Sequence, residues 1–183
     1  MTDLLQLTLQ QALRDKGTTV VGGHSRDEDL LEGMQFHETS RHHDERGWLV
    51  EAFDMRWSWH ELPYPYGYVV SINPGMVKGW ALHQNDEDRY FVIRGVMEMV
   101  TFDPRPDSAT CGKVSRVVLS ADRPRIINIP RNVWHADHNI GTSDCVLMNF
   151  PTGPYNHAEP DKYRLPLDTD LIPFKFGDGV RGW

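Results

Sequence analysis

From Met34 to Phe150, short apolar segments alternate with turn signals, and this spacing constrains the fold more than any other feature of the chain. The segments are 48–53, 66–72, 77–82, 90–93, 97–102, 114–119, 126–129 and 145–150. Several are β-branched or aromatic and alternate with period two, the pattern of a strand with one buried face. Asn73-Pro74-Gly75, Arg94-Gly95 and the run 103–107 punctuate them. Short strands in this number, with no strong helix among them, predict an all-β antiparallel sandwich or barrel.

The two ends read differently. Leu4, Leu5, Leu7, Leu9, Ala12 and Leu13 form an apolar stripe that predicts a helix over residues 3–15, with Gly17 as its stop. Residues 16–33 are polar and glycine-containing, and read as a linker. The chain thus divides into an N-terminal helix and linker, 1–33, and an all-β domain, 34–183. From Pro151 onward it is rich in Pro, Asp and Gly, which predicts irregular structure with a short helix near 159–163.

The formal net charge of −7 argues against a nucleic-acid partner and against an anionic membrane surface. No stretch approaches the ~18 apolar residues of a membrane span, and the N-terminus lacks the basic and apolar regions of a signal peptide. Cys111 and Cys145 form no CxxC pair, and two free thiols fit a cytoplasmic chain better than a secreted one.

The window Gly75–Gly95 carries the chemistry. Its spacing fits the first motif of cupins, small jelly-roll barrels, with glycines at Gly75 and Gly95, the second motif histidine at His83 and the motif carboxylate at Asp88. Ala81 stands where the first motif histidine is usual. The second cupin motif is matched by Pro130, Asn132, His135 and Asn139, with Asn132 in place of a glycine. Residues 81 and 83 lie two apart on a strand, so both point to one face, the interior of a small barrel. His135, from a later strand, is expected to face them. His83, Asp88 and His135 would make a two-histidine, one-carboxylate set suited to Fe(II), Mn or Zn, so a divalent metal is an alternative to a site without cofactor. A binding module without catalysis is a third reading of the same barrel.

A closer resemblance covers residues 34–176. The chain resembles the dTDP-4-dehydrorhamnose 3,5-epimerase family of RmlC-like cupins. Asp44, Arg46, Gly47 and Glu51 match the family's Asp-x-Arg-Gly-x-x-x-Glu start. Asn73 and the pair Lys78-Gly79 follow. Asp103, Arg105, Ser108, Thr110, Gly112, Leu119 and Ser120 match in order, then Ile129-Pro130, His135, Thr152 and Tyr155. The resemblance implies a homodimer, often with strand exchange, that binds a nucleotide diphosphate sugar and needs no cofactor. It implies proton removal beside a ketone followed by reprotonation from the opposite face, with Tyr155 at the acid position.

The family's base position is Ala81, its charge-stabilising lysine position is Asp88, and its usual glutamine two after the base is His83. The aspartate that orients the family's base has no clear match. His83, His135 and Tyr155 are therefore the candidate catalytic groups. Arg46, Asn73, Lys78 and Arg105 are the candidate substrate-binding residues, the cations for a diphosphate. His37, His42, His43, His60, His138 and His157 match no motif and are expected at the surface. Trp48, Trp80 and Trp134 are expected to pack.

Overall fold

The computed structural model describes residues 4–14 and 29–182. Its one helix, α1 (Leu4–Gln11), is shorter than the 3–15 expected, and its leucine stripe is exposed. The strands are β1 (Phe36–Glu38), β2 (Arg41–Asp44), β3 (Gly47–Val50), β4 (Tyr68–Ile72), β5 (Met76–Leu82), β6 (Asp88–Arg94), β7 (Val96–Phe102), β8 (Val114–Ser120), β9 (Arg125–Ile129), β10 (Trp134–Asn139), β11 (Cys145–Asn149), β12 (Tyr163–Arg164) and β13 (Arg181–Gly182). One sheet runs β1-β9-β6-β11-β4 and the other β12-β5-β10-β7-β8, with β13 parallel to β5; β2 and β3 form a separate hairpin. Antiparallel pairing elsewhere gives a jelly roll of the cupin type.

Alternation fills the space between the sheets. Val92, Met97, Met99, Val117, Leu119, Ile127 and Leu147 form one buried cluster there. The outer faces are covered too. Trp80, Val77, Val100 and Ala136 pack beneath Ile172, Phe174 and Phe176, while Phe91, Ile126 and Phe150 lie under Trp57, Trp59 and Tyr64. Both faces of β9 and of most of β5 and β6 are therefore buried, polar Arg89 and Asn128 among them.

Three local expectations change. The linker expected over 16–33 is described only from residue 29, and that part packs onto the domain: Leu31 is buried with Met34, and Asp29 accepts a hydrogen bond from Ser115. No helix forms near 159–163. Pro160 precedes a segment held extended against the β5–β6 turn, which runs into β12. His60 is buried, with its Nε2 3.1 Å from Glu87. Among the described residues no helix is long and apolar enough to cross a membrane.

A bulge sets the inward face of β5. Ala81 lies opposite His135 and Gly79 opposite Ala136, so Trp80 is the extra residue between them. Trp80 turns outward, while Lys78 and Ala81, three apart, both face the interior. Gly79 makes this crossing possible. At φ 145° it lies so close to β10 that a Cβ would sit 2.5 Å from the Ala136 Cα.

Candidate active site

At one end of the sandwich the inward positions turn polar. Asp88 and Tyr90 come from β6, His135 and Asp137 from β10, Asn149 from β11 and Tyr68 from β4. His83 follows the last residue of β5, and Asn132 donates its backbone N–H to the His83 carbonyl at 2.7 Å. Asn132 has φ 61°, a left-handed conformation that asparagine tolerates where most residues do not. That explains why it can replace the motif's glycine.

The three groups singled out in the sequence converge. His83 Nε2 is 3.3 Å and His135 Nε2 3.6 Å from Asp88 Oδ2, and the imidazole rings stack with centroids 5.7 Å apart. Asn149 donates to Asp88 Oδ1 at 2.7 Å, and the Tyr90 hydroxyl reaches Oδ2 at 3.4 Å. Nδ1 of His83 meets the backbone carbonyl of Asp161, and Nδ1 of His135 meets that of Val133 at 3.4 Å. A carbonyl only accepts, so Nδ1 of His83 carries a proton, and both rings turn Nε2 toward Asp88, whose carboxylate favours a proton there too.

The electrostatics follow from this packing. Burial would raise the Asp88 carboxyl, but His83, His135 and Asn149 hold it well below the usual carboxylate range. Burial lowers the His83 imidazole, and the Asp88 carboxylate more than reverses that. His135, more deeply buried and beside His83, is pushed down to about 4. Burial and the Asp88 charge raise Asp137 to about 7. A carboxylate that stays ionised thus sits beside one basic and one neutral imidazole.

Above them the cavity divides in two. A chamber of about 370 Å³ is lined by His83, Asp88, Tyr155 and Asp161. A second, of about 340 Å³, is lined by Lys78, Ala81, His135, Asp137 and Arg164. Tyr68 and Lys162 border both. Burial, with Arg164 nearby, lowers the Lys162 ammonium.

The other expected residues fall on both sides of this boundary. Tyr155 lines the first chamber, about half exposed, with its ring against His157. Lys78 lines the second. Arg46 does not reach either: it lies exposed in the β2–β3 hairpin, paired with Asp44. Asn73 is an exposed turn residue whose carbonyl accepts the Met76 N–H at 3.1 Å, closing the turn between β4 and β5. Arg105 is held by Asp103 at 2.8 Å and faces an outer groove beside Trp134 and Tyr163. Asn139 of the second motif buckles a turn, donating to the Ile72 and Ser143 carbonyls at 2.7 and 2.9 Å.

Sequence reading missed Asp137, Asp161, Lys162 and Arg164. Asp137 was within reach, being two residues beyond His135 on the same strand face. The other three lie where Pro and Asp hide any periodicity.

Comparison with known proteins agrees with this architecture. The family model described as dTDP-4-dehydrorhamnose 3,5-epimerase matches residues 28–170. A probable low-salt glycan biosynthesis epimerase of Haloferax volcanii, Agl13, is 33% identical over 140 residues, 76% of this chain and 90% of that protein. The Bacillus subtilis spore coat polysaccharide biosynthesis protein SpsL is 26% identical over 156 residues, 83% of this chain and all of that one. The crystal structure of a dTDP sugar isomerase from Desulfovibrio desulfuricans superposes with a TM-score of 0.73 at 26% identity, covering 80% of this chain and 93% of that one.

Proposed function

The chain belongs to the dTDP-4-dehydrorhamnose 3,5-epimerase family, and from that premise we propose that it epimerises a nucleotide-linked 4-keto-6-deoxy sugar by proton transfer at the His83–Asp88 pair. The observation that carries the reading is an ionised, buried carboxylate 3.3 Å from an imidazole at a chamber wall. Asp88 raises the basicity of His83 and stabilises the imidazolium once a proton has moved to it. In the resting geometry Nε2 is buried against Asp88 without a hydrogen-bond partner, so the side chain must shift toward the sugar while Nδ1 keeps its bond to the Asp161 carbonyl. The carbanion formed beside the ketone places negative charge on the keto oxygen. Lys162, at the border of both chambers, is the cation placed to stabilise it. Tyr155, across the first chamber, gives its phenolic proton to the opposite face of the carbon, and solvent then reprotonates Tyr155 and takes the proton from His83. Lys78 and Arg164 line the adjoining space for the diphosphate. In this reading the base lies two residues past Ala81, and the cation comes from residue 162 rather than from position 88.

The same reading makes the protein a cytoplasmic homodimer. Unpaired Cys111 and Cys145 support the compartment, and pairing of two copies would cover the exposed Trp48 and Leu49 of the β2–β3 hairpin. Light scattering of the purified chain tests the dimer. The function is tested by deuterium wash-in from D2O into dTDP-4-keto-6-deoxyglucose at the carbons flanking the ketone. Enzyme-dependent incorporation that disappears in His83→Ala is expected, and absence of incorporation with wild type rejects the reading.

A different observation favours a second reading. Both imidazoles meet a backbone carbonyl at Nδ1 and aim Nε2 at one carboxylate oxygen, as metal-binding histidines do when a carbonyl accepts from their other nitrogen. The 3.3 and 3.6 Å separations match ligands at ~2.1 Å around a tetrahedral ion. His83, Asp88 and His135 would hold a divalent ion that polarises the substrate carbonyl. Elemental analysis of protein purified without chelator separates the readings, with stoichiometric Fe, Mn or Zn as the outcome that favours this one.

A further inference from the structure

We propose that Asp161 is a positioning residue for His83, an inference that rests on the proton-transfer reading above. Two parts of the one residue act on the same turn. Its carboxylate accepts the backbone N–H groups of Gln84, Asn85 and Asp86 at 3.0, 2.8 and 3.2 Å. Its backbone carbonyl accepts Nδ1–H of His83. Three successive N–H groups converging on an anion form a nest, and such a turn holds its shape through the anion it binds.

The consequence for His83 is specific. The residue lies just beyond β5, where ladder hydrogen bonds no longer fix the chain. The carboxylate of Asp161 supplies that restraint from 75 or more residues away in sequence. Its carbonyl then holds Nδ1–H, which leaves Nε2 as the nitrogen that faces Asp88 and exchanges the proton with the substrate. A second fastening lies at the other end of the same segment. Thr152 donates its N–H to the Glu87 carbonyl at 3.0 Å and accepts the Glu87 N–H on Oγ1 at 2.9 Å. Residues 152 and 161 thus tie both ends of one segment to the turn 84–87. That segment carries Tyr155, and Lys162 follows the second tie directly. Asp161 therefore orients the base and, with Thr152, places the segment that carries its two partners.

Asp161→Asn tests this. The amide keeps the size of the side chain but replaces one acceptor oxygen with N–H donors that face the N–H groups of the turn. In the wash-in assay kcat is expected to fall about 10- to 100-fold, the cost typical of losing an outer-shell orienting group. KM should stay within about threefold, because Asp161 is not assigned to hold substrate. Asp161→Glu, which restores the charge, is expected to recover part of kcat. Nitrogen-15 NMR of histidine-labelled wild-type protein reads the tautomer directly, with no variant and no substrate. A protonated, exchange-protected Nδ1 on His83 is expected, and its protection should be lost in Asp161→Asn. A wild-type His83 protonated on Nε2 alone overturns the inference, as does a folded Asp161→Asn protein with unchanged kcat and unchanged resonance. If the resonances behave as expected while wild type exchanges no deuterium, the latch stands and the proton-transfer reading falls.

Discussion

The two ends of the sandwich interior use the same sheets and the same alternation for opposite purposes. At one end β7, β8 and β11 direct Met97, Met99, Val117, Leu119 and Leu147 inward, all at most 2% exposed. At the other, the neighbouring strands direct His135, Asp137, Asp88 and Asn149 into a space just as dry, at most 5% exposed. The apolar end gains stability from burial itself. Burying ionisable groups costs free energy unless each is paired. At the polar end that cost is offset by the Asp88 network, which leaves charge poised beside a cavity. Strand topology thus supplies enclosure at both ends, and only side-chain choice makes one of them polar and charged.

Substitutions at the two ends should separate these roles. His83→Ala is expected to lower wash-in per folded molecule by about 10² to 10⁴, the usual range for a general base, and to lower the melting temperature too, because the buried Asp88 carboxylate loses a partner. Activity within threefold of wild type would move the base elsewhere. Leu147→Ala at the apolar end should affect stability alone. It should cost about 2–5 kcal/mol in urea unfolding through the cavity it leaves, while kcat per folded molecule is retained.

The buried charges predict a cancellation in pH dependence. Folded His135 stays neutral down to about 4, whereas its ordinary value is 6.5. The unfolded state binds more protons between those values, so this group makes stability rise with pH from about 4 to 6.5. Folded Asp137 keeps its proton up to about 7 against an ordinary 3.8. Here the folded state binds more protons, so stability falls as pH rises through that window. Each effect is on the order of 3 kcal/mol, and they oppose. Asp88, whose folded value is depressed, loses its stabilising contribution only as pH falls past 3.8. Wild-type melting temperature should therefore be nearly flat from about pH 4.5 to 6.5. In Asp137→Asn it should climb with pH, and in His135→Asn it should decline. Parallel slopes in all three proteins would contradict the assignment.

The smallest effect belongs outside both ends. Arg46 is exposed and paired with Asp44 across the hairpin turn, and water and salt screen such pairs so that they contribute little to stability. Arg46→Ala should leave calorimetric binding of dTDP within about twofold. A larger loss would bring the β2–β3 hairpin back into the substrate site.

The sequence by itself determined the all-β class, through turn signals between short alternating segments, and it marked the His83–Asp88–His135 set, because the two motifs place each residue at the end of β5 or the start of β6 or β10. It also marked Tyr155 and Lys78, both at chamber walls. β10 lay outside the apolar segments because its inward positions are His135, Asp137 and Asn139, so its hydrophobic signal is weak even though its pairing is complete. Only the tertiary structure decided the rest. The bulge at Trp80 puts Lys78 and Ala81 on one face, a register event that depends on the partner strand. Arg46, Asn73 and Arg105 match a family pattern in one dimension but lie away from the chambers, because sequence order does not fix distance across a fold. Asp161 and Lys162 carry no periodicity of their own. Their positions come from three backbone N–H groups of a distant turn, and hydrogen bonds of that kind leave no mark on residue type.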